Sequence, residues 1–348
     1  MTFIPGLQLS RLFYAEAVRP LLDRHFPGLP HAAARIGSGS EVLGFDTARS
    51  ADHEWGPRLQ VFVADPAPEI GELLSRELPK EFRGYPTHFV PADNEHIRKM
   101  APTDGPVFHR VDIARLTDWM TGALGFDPTA GIGARDWLAT PTQRLAEVTG
   151  GAVFHDDTGE LTAVRSALSW YPDEIWRYVL ACGWQRIGQE EAFVGRAGEV
   201  GDELGSAVVA ARLARELMRL CLLMARVYPP YSKWLGSAFA SLPGIEPIRL
   251  ALTGALAATE WRVRERFLGE AYEMVAARHN ELRLTEPLDP RTRPYFSRPF
   301  RVIGAGRFVA ALHATGSLAG AVDQFVDSTD VLGRSENTRG IVDVVHGA

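Results

Sequence analysis

The stretch GSGSEVLGFDTARSADHEW, residues 37–55, places a Gly-Ser run ahead of two acidic residues, Asp52 and Glu54. Gly37, Gly39 and Ser40 let a backbone turn come close to a bound anion, because glycine adopts conformations closed to other residues. On an extended strand, residues i and i+2 face the same way, so the carboxylates of Asp52 and Glu54 can share a hard cation such as magnesium. An anion beside a dication is the chemistry of phosphate groups, with turn amides and the Ser40 hydroxyl donating to phosphate oxygens. Taken alone, the Gly-Ser run reads as a flexible loop, and the acidic pair is what turns the reading toward phosphate.

Carboxylates of this kind need strands to carry them. AARI reads as a short strand entering the Gly-Ser turn, RLQVFVA as a second after the acidic pair, and VFHRVDI (107–113) as a third. Val111 and Ile113 share one face of the third strand, which leaves Asp112 to face a cleft on the other. A helix over about residues 8–25, which Pro20 would kink, precedes the strands, and PEIGELLSRELP supplies a helix to cover the sheet. Beyond about residue 130 strands nearly vanish. Leu213, Leu217, Leu220, Met224 and Val227 form one apolar stripe of a long helix, and DEIWRYVLACGWQRIGQEEAFVG and ATEWRVRERFLGEAYEMVAARHNEL are similarly long. The expected class is therefore α+β: a small mixed-sheet domain over 1–130, a helical bundle over 131–285, and a strand-helix extension over 286–348 behind a Pro- and Arg-rich stretch.

The 348 residues suffice for two domains with their own cores. A net charge of −6 gives no basic field to draw the chain to nucleic acid or anionic lipid, so the expected partners are small molecules. Cys182 and Cys221 sit in apolar helical patterns and read as reduced core residues. The most apolar run, LMRLCLLMARV, contains two arginines and is too short to span a bilayer, and the N-terminus lacks the pattern of a signal peptide. A cytoplasmic protein without membrane contact is expected.

The order of strand, Gly-Ser turn, acidic pair, second strand and acidic third strand resembles the nucleotidyltransferase superfamily typified by DNA polymerase beta and the aminoglycoside nucleotidyltransferases. The resemblance covers roughly residues 30–115. It implies that Gly39 and Ser40 contact nucleotide phosphates, that Asp52 and Glu54 bind magnesium, and that Asp112 is the third metal ligand or base. More narrowly, GSEVLGFDTARSADHEWGPR with the later YSKWLG resembles the DUF4037 family, a bacterial branch of that superfamily. The activity implied is transfer of NMP, with AMP the expected group, from ATP or another NTP to a small-molecule acceptor held between the two domains, with two magnesium ions aligning nucleophile and leaving group. Two other readings stay open: a catalytically silent nucleotide-binding regulator, and a nucleotidyltransferase that modifies a protein.

Two departures from the superfamily pattern stand out: His53 lies between the acidic residues with Trp55-Gly56-Pro57 after them, which predicts a bend, and the usual Ser-Asp step is widened to Ser50-Ala51-Asp52. In the helical half, Lys233 among aromatic residues can reach a triphosphate and Tyr231 can flank a base; a surface lysine beside packed aromatics is the competing reading. Asp46 reads as a turn former. The polar segment with Arg186, Glu190, Glu191, Arg196 and Asp202 reads as a solvated connection, with an acceptor pocket as the alternative. GAGRF lacks the third glycine of a dinucleotide fingerprint.

Overall fold

Residues 3–92, 97–313 and 318–347 are described in this computed structural model. The chain is α+β and packs as two compact units, each built from two stretches of sequence. Residues up to Ile132 together with Arg144–Ser169 make the first unit, and Gly133–Gln143 with Trp170–Ala348 make the second. The sequence suggests consecutive segments, whereas the chain leaves the first unit at residue 132 and returns to it at 144. Residues 286–348, expected as a separate extension, cluster with the second unit.

The first unit is organised by a four-stranded mixed sheet. Its strands are β1 (His31–Arg35), β2 (Arg58–Val63), β3 (Arg110–Ala114) and β4 (Ala152–Asp156), in the spatial order β3-β2-β1-β4. β1 runs antiparallel to both neighbours, and its three consecutive alanines are buried. β2 and β3 are parallel, which demands a crossover; helix α3 (Pro68–Glu77) and two short hairpins provide it. Ahead of the sheet, α1 (Gly6–Phe13) and α2 (Arg19–His25) are joined without a break by a π turn at Tyr14–Val18. The turn sits where Pro20, which has no N–H to offer Glu16, would otherwise interrupt the ladder.

Alternation along the strands separates two faces. Leu59, Val61 and Val63 of β2 join Val111 of β3, Leu9, Phe13 and Leu22 of the first helices, and Ile70 and Leu74 of α3 in one core. The opposite face receives Arg58, Gln60 and Phe62, and the register sets these beside Arg110, Asp112 and Ala114. Phe62 is covered by Trp119 of α4 (Leu116–Leu124), edge to face at 5.7 Å. Arg58 and Gln60 remain to line an open cavity.

The second unit is mainly helical. Its long helices are α5 (Asp173–Glu190), α6 (Glu203–Met224) and α8 (Trp261–Glu281), with α7 (Ser232–Ala240) between the last two. Leu213, Leu217, Leu220 and Met224 are buried along α6, while Val227 lies beyond its end and is exposed. Trp184 of α5 stacks at 4.2 Å on Phe308 of α9 (Gly306–Leu312). Cys182 and Cys221 are free and buried, and burial pushes both thiols up to about 12. Among the described residues no helix is long and apolar enough to cross a membrane.

Candidate functional site

β1 ends at Arg35, and the next two residues that matter are Gly37 and Ser38. Gly37 takes a positive φ of 81°, and a Cβ there would lie 3.1 Å from the Trp119 ring. These residues line a cavity of about 460 Å³ together with Arg35, Arg58, Gln60, Arg110, Asp112 and Trp119, a volume suited to a small ligand. Gly39 and Ser40, the expected phosphate turn, are not among its lining residues. Gly39 instead sits tightly behind, where a Cβ would come within 2.5 Å of both Arg35 Nη2 and Glu41 Oε2.

Glu41 explains how two arginines share so small a space. Arg35 Nε donates to its Oε1 at 2.8 Å, and Arg58 donates to the same oxygen through Nε at 3.0 Å and Nη2 at 2.8 Å. All three side chains are buried. Burial works to raise the carboxyl of Glu41, but Arg35 and Arg58 outweigh it and hold the group below its usual value. Burial first, then the charge of Arg58, lowers Arg35 from its usual value. Arg110 is the most accessible of the three arginines lining the cavity. Its Nη2 donates to Glu54 Oε2 at 2.8 Å, and among the described residues its Nε and Nη1 meet no acceptor. His109 accepts from the Val111 amide at Nδ1 and meets the Gly71 carbonyl at Nε2. This pattern belongs to the neutral ring, and burial lowers its pKa accordingly.

The acidic pair does not lie on a strand. Thr47 and Ser50 cap each other reciprocally and wind Ala48–Asp52 into a 3-10 turn. His53 is extended, Glu54 takes a φ of 45°, and β2 begins only at Arg58, so the bend expected at Trp55-Gly56-Pro57 is present. Asp52 is exposed and pairs with His53 at 2.8 Å, away from the cavity lining. Glu54 Oε1 accepts the Arg98 amide at 2.7 Å, while its Oε2 takes Arg110 and, at 3.4 Å, Arg58. Of the three expected carboxylates, only Asp112 lines the cavity. Among the described residues, the ligand atoms of Asp52, Glu54 and Asp112 do not gather within 4.8 Å as a metal trio. Asp46 is an anchor: its Oδ2 accepts the Trp55 indole at 3.0 Å and the Gly6 amide at 2.7 Å.

Residues 137–235 match DUF4037, a domain of unknown function. This bears out the family resemblance over that segment, which includes most of YSKWLG. No curated protein matches the chain. One solved structure, described as a nucleotidyltransferase-like protein from Exiguobacterium sibiricum 255-15, is similar over 88% of each chain at 11% identity, with a TM-score of 0.33.

Within the DUF4037 segment, the Lys233 ammonium lies 4.9 Å from the Trp234 ring, and the Tyr231 amide donates to Gln143 at 2.9 Å. The polar residues between α5 and α6 are largely committed. Glu190 pairs with Arg212, Glu191 caps the Gly304 and Ala305 amides, and Asp202 caps the start of α6. In GAGRF the Gly304 and Ala305 amides thus donate to a protein carboxylate.

Sequence reasoning overlooked Arg35, Arg58, Gln60, Arg110 and Trp119. A signal for part of this set was present: in RLQVFV the polar positions alternate with Leu59, Val61 and Val63, which places Arg58 and Gln60 together on the face away from the core.

Proposed function

We propose that the cavity beside β2 and β3 binds the phosphate-bearing part of a nucleotide without a paired-magnesium centre, which makes the protein a nucleotide-binding relative of the nucleotidyltransferases. The observation that carries this reading is the composition of the cavity floor. The two same-face positions of β2 hold Arg58 and Gln60, and their partners on β3 are Arg110 and Asp112. A pair of magnesium ions needs several carboxylate oxygens, and this floor offers one carboxylate among guanidinium groups. Glu54, the nearest expected ligand, already has both oxygens engaged by N–H donors. The donor set therefore does not fit a two-magnesium site, whereas Arg110, the Gly37-Ser38 turn and the Gln60 amide suit phosphate oxygens. Trp119 offers an aromatic edge or face to the base.

The test is calorimetry with ATP in EDTA and again with magnesium. Binding is expected in EDTA and is expected to weaken strongly in Arg110→Ala. Binding that appears only with magnesium and vanishes in Asp52→Asn and Glu54→Gln would overturn the reading.

A second reading, magnesium-dependent transfer of AMP or another NMP to a small-molecule hydroxyl, is supported by Asp112, the carboxylate that lines the cavity. Pyrophosphate release from a panel of NTPs with a metabolite extract separates the two. Release above background, lost in Asp112→Asn, favours transfer.

A further inference from the structure

At the other edge of the sheet the β1–β4 register brings two histidines and an aspartate to one face. Ala33 pairs with His155, and the Asp157 amide bonds the His31 carbonyl at 3.1 Å, so His31, His155 and Asp157 project together. The two imidazole centroids are 4.7 Å apart, and one ligand atom from each of the three residues falls within 4.8 Å of the others. Asp157 Oδ1 is 2.9 Å from His155 Nε2, and its Oδ2 is 3.7 Å from His31 Nδ1. Two donors on a tetrahedral zinc ion lie about 3.3 Å apart, given bonds of about 2.0–2.1 Å. The two histidine–carboxylate separations, each to a different oxygen of Asp157, lie on either side of that value.

We propose that His31, His155 and Asp157 form a binding site for one borderline dication of the zinc class, with three protein ligands and one position left to water. The ligand set excludes a preference for magnesium, which takes oxygen donors, and suits zinc or cobalt. His155 Nε2 is shielded from solvent and lies 2.9 Å from Asp157 Oδ1, the contact that a bound ion would replace.

The surrounding groups define how the site must switch. Tyr14 OH lies 2.9 Å from His31 Nε2, and the Leu29 carbonyl lies 3.0 Å from Nδ1. Metal on Nδ1 takes the place of the proton that this nitrogen donates to the Leu29 carbonyl, so the ring must leave that contact; its proton then sits on Nε2, and the Tyr14 hydroxyl turns to accept it as the outer partner of a metal-bound histidine. Arg19 Nη1 lies 3.2 Å from His155 Nδ1. Metal on Nε2 places a proton on Nδ1, so Arg19 must release this contact, and its half-exposed side chain already has Asp23 as a second partner. Arg19 therefore competes with the metal.

Zinc titration of chelator-stripped protein against a chromophoric competitor, with cobalt spectra as a check on geometry, tests the site independently of the nucleotide reading. One equivalent is expected to bind. His155→Ala and Asp157→Ala, at positions solvent can reach, should each weaken binding at least tenfold with unchanged circular dichroism. Tyr14→Phe should weaken it about tenfold, and Arg19→Gln should tighten it severalfold. Failure of the wild type to bind zinc, or equal affinity in His155→Ala and Asp157→Ala, would overturn the proposal. Weaker binding in Arg19→Gln would overturn the competing role given to Arg19.

Discussion

Gln60 and Asp112 stand side by side in the parallel register of β2 and β3, an amide against a carboxylate. Arg58 and Arg110 form the adjacent same-face pair. Asp112 is thus the one carboxylate on a floor that also carries two guanidinium groups, and on the proposed reading it repels a bound anion.

Asp112→Asn should therefore raise ATP affinity severalfold in EDTA, because one like charge near the phosphates is removed. Calorimetry at two ionic strengths measures it, and the gain should shrink with salt. A loss of affinity confined to magnesium-containing buffer would instead mark Asp112 as a metal ligand.

Arg110→Ala removes the guanidinium with uncommitted donors. A hydrogen bond to a charged group contributes about 1.5–3 kcal/mol, so ATP affinity should fall by one to two powers of ten. Arg110→Lys should recover only part of the loss, since an ammonium restores charge without the planar fork. Equal affinity in all three proteins would remove Arg110 from the site.

Glu41→Gln leaves Arg35 and Arg58 buried without their shared counter-charge and should cost about 3–5 kcal/mol in urea unfolding. The pH dependence has a definite sign. Because the folded-state pKa of Glu41 is below its ordinary 4.5, its contribution is complete above that value and is lost as pH falls through the lowered folded value. The wild type should lose stability over that acid range, and Glu41→Gln should show a shallower acid limb.

Gly39→Ala tests the turn behind the cavity. At a φ of 150°, with a Cβ 2.5 Å from Arg35 Nη2, alanine should destabilise the first unit by about 1–3 kcal/mol. Ser40→Ala should change neither thermal stability nor ATP affinity appreciably. A large loss of affinity in Ser40→Ala would return that hydroxyl to the phosphate site.

Strands β2 and β3 and the long helices were legible because each has one apolar face with the appropriate period, whereas β1 has no alternation and is buried at all five positions. The acidic pair misled because its spacing means a shared face only on extended backbone. Here the Thr47–Ser50 cap winds the preceding turn, and Glu54 turns to positive φ. The widened Ser50-Ala51-Asp52 step and Trp55-Gly56-Pro57 were the local signs of that bend. β4 escaped notice inside a helical region, although Gly150-Gly151 before it and Asp157-Thr158-Gly159 after it are turn signals around a short AVFHD run. The buried Arg35–Glu41–Arg58 cluster was the least legible feature, since charged residues in sequence read as surface until packing shows what they share.

β4 also has a consequence for how the chain can be cut and assembled. A nascent chain ending at residue 132 contains β1, β2 and β3 but leaves one edge of β1 unpaired. Such an edge, on the alanine-rich strand β1 itself, is a template for pairing with another chain. The first unit can close only once residues 152–156 have emerged, after the excursion through 133–143. A fragment ending at 132 should therefore aggregate, and neither unit can be exchanged as a simple N- or C-terminal cassette.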